Sequence, residues 1–247
     1  MAPRQRIDRL LVTRGLFDSR AKAQAAIAAG LVTADDVVIA KPSDTVPADA
    51  RLHAEPAHPW VSRGGVKLAA AIDHFAADPA FDPRDRVCLD VGASTGGFTQ
   101  VLLARGARRV YAVDVGRSQL HESVRALPQV ISLEATDIRT LDPVSFPERP
   151  QFITVDVSFI SLKLVLPAAL TLAATPACLL ALIKPQFEAG RADVKKGIVR
   201  DPLVHARVCT DVSARVAALG WTVADTVPSP IAGGDGNHEF FIGAWRV

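Results

Sequence analysis

Three carboxylates stand at the ends of three consecutive apolar runs, and the first of them opens a glycine-rich turn. RVCLDVG leads into Asp90-Val-Gly92-Ala-Ser94-Thr-Gly96-Gly97-Phe98-Thr99, RVYAVDVG carries Asp114, and ISLEATD carries Asp137. Glycines in such a turn let the main chain approach a ligand closely, and a helix that follows offers free N–H groups. The spacing is not the dinucleotide pattern G-x-G-x-x-G, because Ser94 takes the place of the second glycine. An acid before the turn suits a cationic or amino-bearing ligand better than a pyrophosphate. Asp114 is placed to accept both ribose hydroxyls of a nucleoside, and Asp137 to meet an adenine amino group. Asp90, Gly92, Ser94, Gly96, Gly97, Phe98, Asp114 and Asp137 together predict a site for S-adenosylmethionine rather than NAD. The competing reading is that Asp114 and Asp137 merely cap helices.

Those residues need a scaffold that delivers strand ends to one edge. From Val61 onward the candidate strands are RVCLDVG, RVYAVDVG, ISLEATD, FITVDVS, ACLLALIK, TVADTVPSPI and EFFIGAWRV, with helical stretches between most of them. That rhythm predicts an α/β fold, Rossmann-like, with a seven-stranded and mostly parallel sheet covered on both faces. EFFIGAWRV follows its predecessor through AGGDGNH without a helix, so the last strand is expected to run antiparallel. Leu164 to Ile183 is uncharged and long enough to span a membrane. Pro167 and Pro176 favour instead a helix opening near Pro167, a turn at Thr175-Pro176, and a buried strand.

The whole chain has 247 residues, 49% apolar and 22% charged, with a net charge of +2. A chain of this length removes roughly 70 to 75% of its unfolded surface from water, which excludes disorder. The small net charge hides an asymmetry. Residues 1 to 30 hold six basic side chains against two acids, +4, and the rest sums to −2. Cys88, Cys178 and Cys209 lie far apart in apolar runs, so neither a disulfide framework nor a metal site is expected. MAPRQRIDRLL has no apolar stretch followed by a cleavage site, and a cytoplasmic, monomeric protein without membrane attachment is expected.

The basic segment has its own organisation. RIDRLLVTRG reads as a helix ended by Gly15, and RAKAQAAIAAG as a second one capped by Asp18 or Ser19 and ended by Gly30. LVTADDVVIAKPSDTV reads as two short strands around Asp35-Asp36. The run Arg6-x-Asp8-x-x-Leu11, Ser19-Arg20-x-x-Ala23-x-x-x-Ile27-x-x-Gly30, Val32 and Ile39-x-Lys41-Pro42 resembles the ribosomal protein S-four type (αL-motif) RNA-binding module. The family's turn usually has Asn-Gly where this chain has Asp35-Asp36, which predicts an altered hairpin turn, since Asp tolerates positive φ less well than Gly. HAEPAHPW, with Pro56 and Pro59 and no periodicity, marks a linker. The predicted domains are 1–58, a small α+β RNA-binding module, and 63–247, with 59–62 between them. The resemblance implies RNA contacts by Arg4, Arg6, Arg14, Arg20, Lys22 and Lys41, with Arg63 joining them from SRGGVKL.

DVGASTGGFT together with SRGGVKL, TVDVSFISL, LIKPQFE and GNHEFF resembles the TlyA (hemolysin A) family of ribosomal RNA ribose methyltransferases, an αL module joined to an FtsJ-like class I domain. The resemblance implies S-adenosylmethionine as cofactor, ribosomal RNA or ribosomal subunits as partner, and cytidine 2′-O-methylation in small-subunit RNA, with large-subunit RNA as a second candidate. It also implies a Lys-Asp-Lys-Glu tetrad at Lys67, Asp156, Lys184 and Glu239. A ribose hydroxyl is a poor nucleophile. Lys184 either serves as base, if desolvation and Lys67 lower its pKa, or steadies a developing alkoxide as an ammonium. Asp156 would orient the lysine and favour the sulfonium, and Glu239 would orient Lys67 or the ribose. Lys67 and Glu239 as a mere surface ion pair is the bland alternative.

Amine methylation usually accompanies Asn/Asp-Pro-Pro-aromatic, and this chain has Asp156-Val-Ser-Phe159. Base-carbon methylation commonly needs a strand-end cysteine, and none is expected near the site. Phe159 is read as packing near the cofactor or target nucleotide, or as core. The loop PQFEAGRADVKKGIVRDP, with Arg191, Lys195, Lys196 and Arg200, suits a mobile flap over RNA. Two other classes stay open: an inactive RNA-binding assembly factor, and a pore-forming hemolysin resting on the uncharged stretch alone.

Overall fold

Ser19 accepts a hydrogen bond from Lys22 N and so starts a helix where the alanine-rich run begins. The computed structural model describes residues 2–233 and 235–247. They fall into two compact units, Met1–Pro59 and Trp60–Val247. In the first, β1 (Arg4–Arg6) pairs antiparallel with β4 (Thr45–Pro47), α1 spans Ile7–Thr13 and α2 Arg20–Ala28. A second small sheet has the order β3 (Val37–Val38), β2 (Val32–Ala34), β5 (Leu52–Ala54). Ile7, Leu11, Ala23, Ile27 and Val32 fill the core between them. The linker segment therefore begins as strand at His53 and Ala54.

The hairpin turn keeps its geometry without glycine. Asp35 and Asp36 adopt φ of 48° and 66°. Arg51 compensates on both counts: its backbone N–H donates to Asp35 Oδ1 at 2.9 Å, and its guanidinium pairs with Asp36.

In the second unit the elements are α3 (Arg63–Phe75), β6 (Val87–Val91), α4 (Gly97–Ala104), β7 (Arg109–Val113), α5 (Glu122–Arg125), β8 (Val130–Leu133), β9 (Phe152–Val155), α6 (Leu162–Leu172), β10 (Ala177–Ile183), α7 (Pro185–Glu188), α8 (Pro202–Ala218), β11 (Thr222–Pro228) and β12 (Phe240–Arg246). Seven strands form one sheet in the order β11-β12-β10-β9-β6-β7-β8. Strand β12 runs antiparallel to both neighbours, and the other pairs recorded are parallel. One face packs Leu68, Phe75, Phe98 and Phe241, the other Leu162, Val165, Leu166 and Val208. All seven residues of β10 are buried, which explains its unbroken apolar run. Truncating one of its leucines to alanine costs about 2 to 5 kcal/mol.

Trp60 and Val61 pack within this unit, Val61 N donating to Gln100 Oε1 at 2.7 Å. The uncharged stretch resolves into helix and strand, but the helix opens at Leu162, not near Pro167, which lies inside it. Ser161 and Glu188 supply the cap, since Glu188 accepts from Leu162 N at 2.7 Å and from Ser161 Oγ at 2.6 Å. Among the described residues no helix is long and apolar enough to cross a membrane.

Candidate active site

The sheet order reverses direction between β6 and β9, so the crevice beyond their carboxyl ends is where an open α/β sheet binds ligands. Gly92 and Asp156 leave those two strands side by side. Gly92 has φ +83°, and a Cβ there would run into the backbone carbonyl of Asp156, so only glycine fits. Ser94, in the place of the missing glycine, takes φ 47° and is held by its own N–H, which donates to Asp114 Oδ2 at 2.7 Å. Gly116 N donates to Asp114 Oδ1, also at 2.7 Å. A carboxylate has about four acceptor positions, so Asp114 keeps capacity for a hydroxyl beyond these two bonds.

A cavity of about 550 Å³ opens there, lined among others by Gly92, Ser94, Asp114, Asp137, Asp156 and Phe159. Val113, Val115, Ile138 and Ile160 supply apolar wall. Acceptors for hydroxyl and amino groups beside apolar surface match a nucleoside, so the donor set fits the adenosyl part of S-adenosylmethionine. A smaller adjoining cavity, about 190 Å³, is lined by Arg63, Lys67, Gly92, Ser94, Gly97 and Asp156 among others.

Three expected ligand residues, Asp90, Gly96 and Phe98, sit differently from their sequence reading, and Asp137 fits both of its readings. Asp90 is wholly buried, its oxygens accepting from Thr99 Oγ1 at 2.6 Å and Thr154 Oγ1 at 3.0 Å, and it lines neither cavity. Burial pushes its carboxyl up to about 7 against the hydroxyl bonds that pull it down. It anchors the turn from beneath. Asp137 lines the cavity but also caps a short 3₁₀ turn through Arg139 N, and Arg139 holds its carboxyl down to about 2. Phe98 is a core ring against Phe241 that reaches only the floor of the smaller cavity. Gly96 is the left-handed cap of α4. The sequence reading missed Arg139, which lines the cavity and binds Asp137 only two residues before it.

The two lysines and two carboxylates meet as two ion pairs. Lys67 on α3 and Glu239 before β12 lie 2.5 Å apart, and both are buried. This is not a surface pair. Lys184, at the end of β10, lies 2.6 Å from Asp156 Oδ1 and donates to Ser158 Oγ at 2.9 Å. Lys67 and Asp156 line the same smaller cavity, which joins the pairs into one group. Phe159 is not core: it is 92% exposed with φ 64°, on the rim of the larger cavity and 5.3 Å from the Phe187 ring.

The loop after α7 is pinned rather than loose through its second half. Asn237, 1% exposed, accepts from Val199 N and donates to Gly197 O, and Val199 is buried. Cys88 and Cys178 are buried in strands and Cys209 lies on α8, where burial pushes its thiol up to about 11. Among the described residues no cluster of His, Cys, Asp or Glu could hold a metal ion.

The expected RNA contacts are partly occupied within their own unit. Arg6 and Arg20 both bind the buried Asp8, at 3.1 and 2.6 Å, and Arg6 beside it holds that carboxyl well below the usual range. Arg14 donates to the Ala48 and Ala50 carbonyls, Arg4 to that of Thr45, and Lys22 pairs with Asp18. Lys41 is exposed. Arg63 lies in the second unit, donating to Ala232 O at 2.8 Å.

Residues 60–246 match the FtsJ-like methyltransferase family and residues 5–52 the S4 domain. The chain is 44% identical over 247 residues to the 16S/23S rRNA (cytidine-2′-O)-methyltransferase TlyA of Mycobacterium tuberculosis, covering 98% of this chain and 90% of that protein. It is 35% identical over 237 residues to hemolysin A of Brachyspira hyodysenteriae, covering 95% and 97%. Among solved structures, a Streptococcus thermophilus protein carrying the hemolysin name superimposes with TM-score 0.77 at 39% identity, over all of this chain and 90% of that one.

Proposed function

The chain belongs to the FtsJ-like methyltransferase family, with an S4 domain ahead of the catalytic one, and from that premise we propose that it methylates a ribose 2′-hydroxyl of ribosomal RNA, on a cytidine. The observation that carries the reading is the two lysine–carboxylate pairs, one buried and one half-buried, beside a nucleoside-sized cavity. S-adenosylmethionine, when bound, supplies an electrophilic methyl group on a sulfonium. Asp114 and Asp137 hold its adenosine, and the backbone of Gly92 and Ser94 borders the amino-acid end.

Lys184 takes the hydroxyl proton as the ribose oxygen becomes the nucleophile. Asp156 orients that amine and favours positive charge beside it. Lys67, held by Glu239, steadies negative charge developing on the ribose oxygen. With two acids and two bases the group is near neutral before RNA arrives. Phe159 offers an exposed ring on which the target base can stack once it leaves its helix. The N-terminal module docks on structured RNA, and a ribosomal RNA substrate implies a cytoplasmic enzyme.

The test is incubation with methyl-labelled S-adenosylmethionine and isolated small and large ribosomal subunits, followed by mapping of the modified ribose. Label at a cytidine 2′-oxygen of small-subunit RNA is expected, with large-subunit RNA as the second candidate. No label in either RNA rejects the proposal.

A further inference from the structure

We propose that Ser158 positions Lys184 and carries away the proton that Lys184 collects, a role that rests on the methyl transfer proposed above. Lys184 Nζ has two neighbours from one short loop after β9: Asp156 Oδ1 at 2.6 Å and Ser158 Oγ at 2.9 Å. An ammonium has three N–H groups in fixed tetrahedral directions. One of them is directed at Ser158 Oγ, while the Asp156 contact is an ion pair in which Oδ1 receives no hydrogen bond, so the serine is what fixes the rotation of the amine. After Lys184 loses a proton, the bond to Ser158 still restricts where its lone pair points. Asp156 alone would leave the amine free to swing about a single contact.

The exit follows from burial. Lys184 is 9% exposed, and Asp156 Oδ1, the oxygen facing it, is shut off from solvent. A proton handed to that oxygen stays in the site. Ser158 is exposed, so its hydroxyl is the neighbour of Lys184 that reaches water. The relay balances: an Nζ proton moves to Ser158 Oγ as the serine's own proton moves to a water molecule. The hydroxyl ends neutral and Lys184 ends as a free amine, ready for the next turnover.

Single-turnover methylation of ribosomal subunits by Ser158→Ala and Ser158→Thr, at saturating S-adenosylmethionine and across a range of pH, tests this. Ser158→Ala is expected to slow the chemical step on the order of tenfold, with the pH profile displaced. Ser158→Thr, which keeps the hydroxyl, restores both. A wild-type rate and profile in Ser158→Ala, or a threonine variant no better than alanine, overturns the role while leaving the methyltransferase reading intact. A readout independent of turnover separates the two further. The carbon-13 signal of the Lys184 ε-methylene is titrated in the three proteins. Its midpoint is expected to move in Ser158→Ala and return in Ser158→Thr. An unmoved midpoint overturns the proposal whether or not RNA is methylated.

Discussion

Lys67 and Glu239 stand 172 residues apart in the chain and 2.5 Å apart in space, with side chains only 9% and 3% exposed. Removing one partner leaves a buried charge uncompensated. Lys67→Ala is expected to lower stability by about 3 kcal/mol or more and to abolish methylation. The double variant Lys67→Met/Glu239→Leu should recover most of that stability and none of the activity. Thermal melts and a methylation assay on the three proteins check this, and a single variant as stable as wild type would contradict the buried pairing.

Lys184→Ala should cut the methylation rate by about 10² to 10⁴ and leave S-adenosylmethionine affinity within a few fold, because Lys184 lines neither cavity directly. Calorimetry for the cofactor and label incorporation for the rate separate the two effects. Normal methylation by this variant would remove Lys184 from the mechanism.

Asp90 titrates in the fold at about 7 instead of near 3.8, chiefly because burial penalises its ionised form. The folded protein therefore holds a proton that the unfolded chain releases. The stability contributed by the protonated form is complete below about 4 and is lost as pH rises toward 7, on the order of 4 kcal/mol over the window. Asp90→Asn should flatten this slope. Urea titrations between pH 4.5 and 7.5 on both proteins measure it, and parallel slopes would refute the assignment.

Phe159→Ala should lower kcat/KM for RNA by about 5-fold to 100-fold, the range expected from losing one base–aromatic stack. Cofactor affinity should be unchanged. An equal loss in both would mean that the ring packs on the cofactor instead.

Deletion of residues 1–59 is expected to abolish the salt-sensitive part of ribosomal RNA binding. Because Arg6 and Arg20 are committed to Asp8, Lys41→Ala should weaken binding without affecting the fold of the N-terminal unit. Filter binding at several salt concentrations and circular dichroism of the variant check the two halves of that statement.

The seven strands and their mostly parallel run could be read from the alternation of apolar runs and helices, since burial on both sides of a parallel sheet writes itself into consecutive residues such as ACLLALI, whereas their order in the sheet could not. The antiparallel β12 followed from a connection without a helix. The residues at positions 67, 156, 184 and 239 came from the family resemblance, each in its own motif. What lay beyond reach was every relation set by two distant segments. Asp90 reads as a ligand from its place before a glycine turn, yet Thr99 and Thr154 close over it. Pro167 reads as a helix start, yet Glu188, at the end of α7, caps that helix one and a half turns earlier. Phe159 reads equally well as core, and only its left-handed backbone turns it outward. Periodicity and spacing report which face of its own element a residue occupies. The pairing of Lys67 with Glu239 and of Lys184 with Asp156 depends on how α3, β9, β10 and β12 converge at one edge of the sheet, and that convergence exists only once the register of the strands is set.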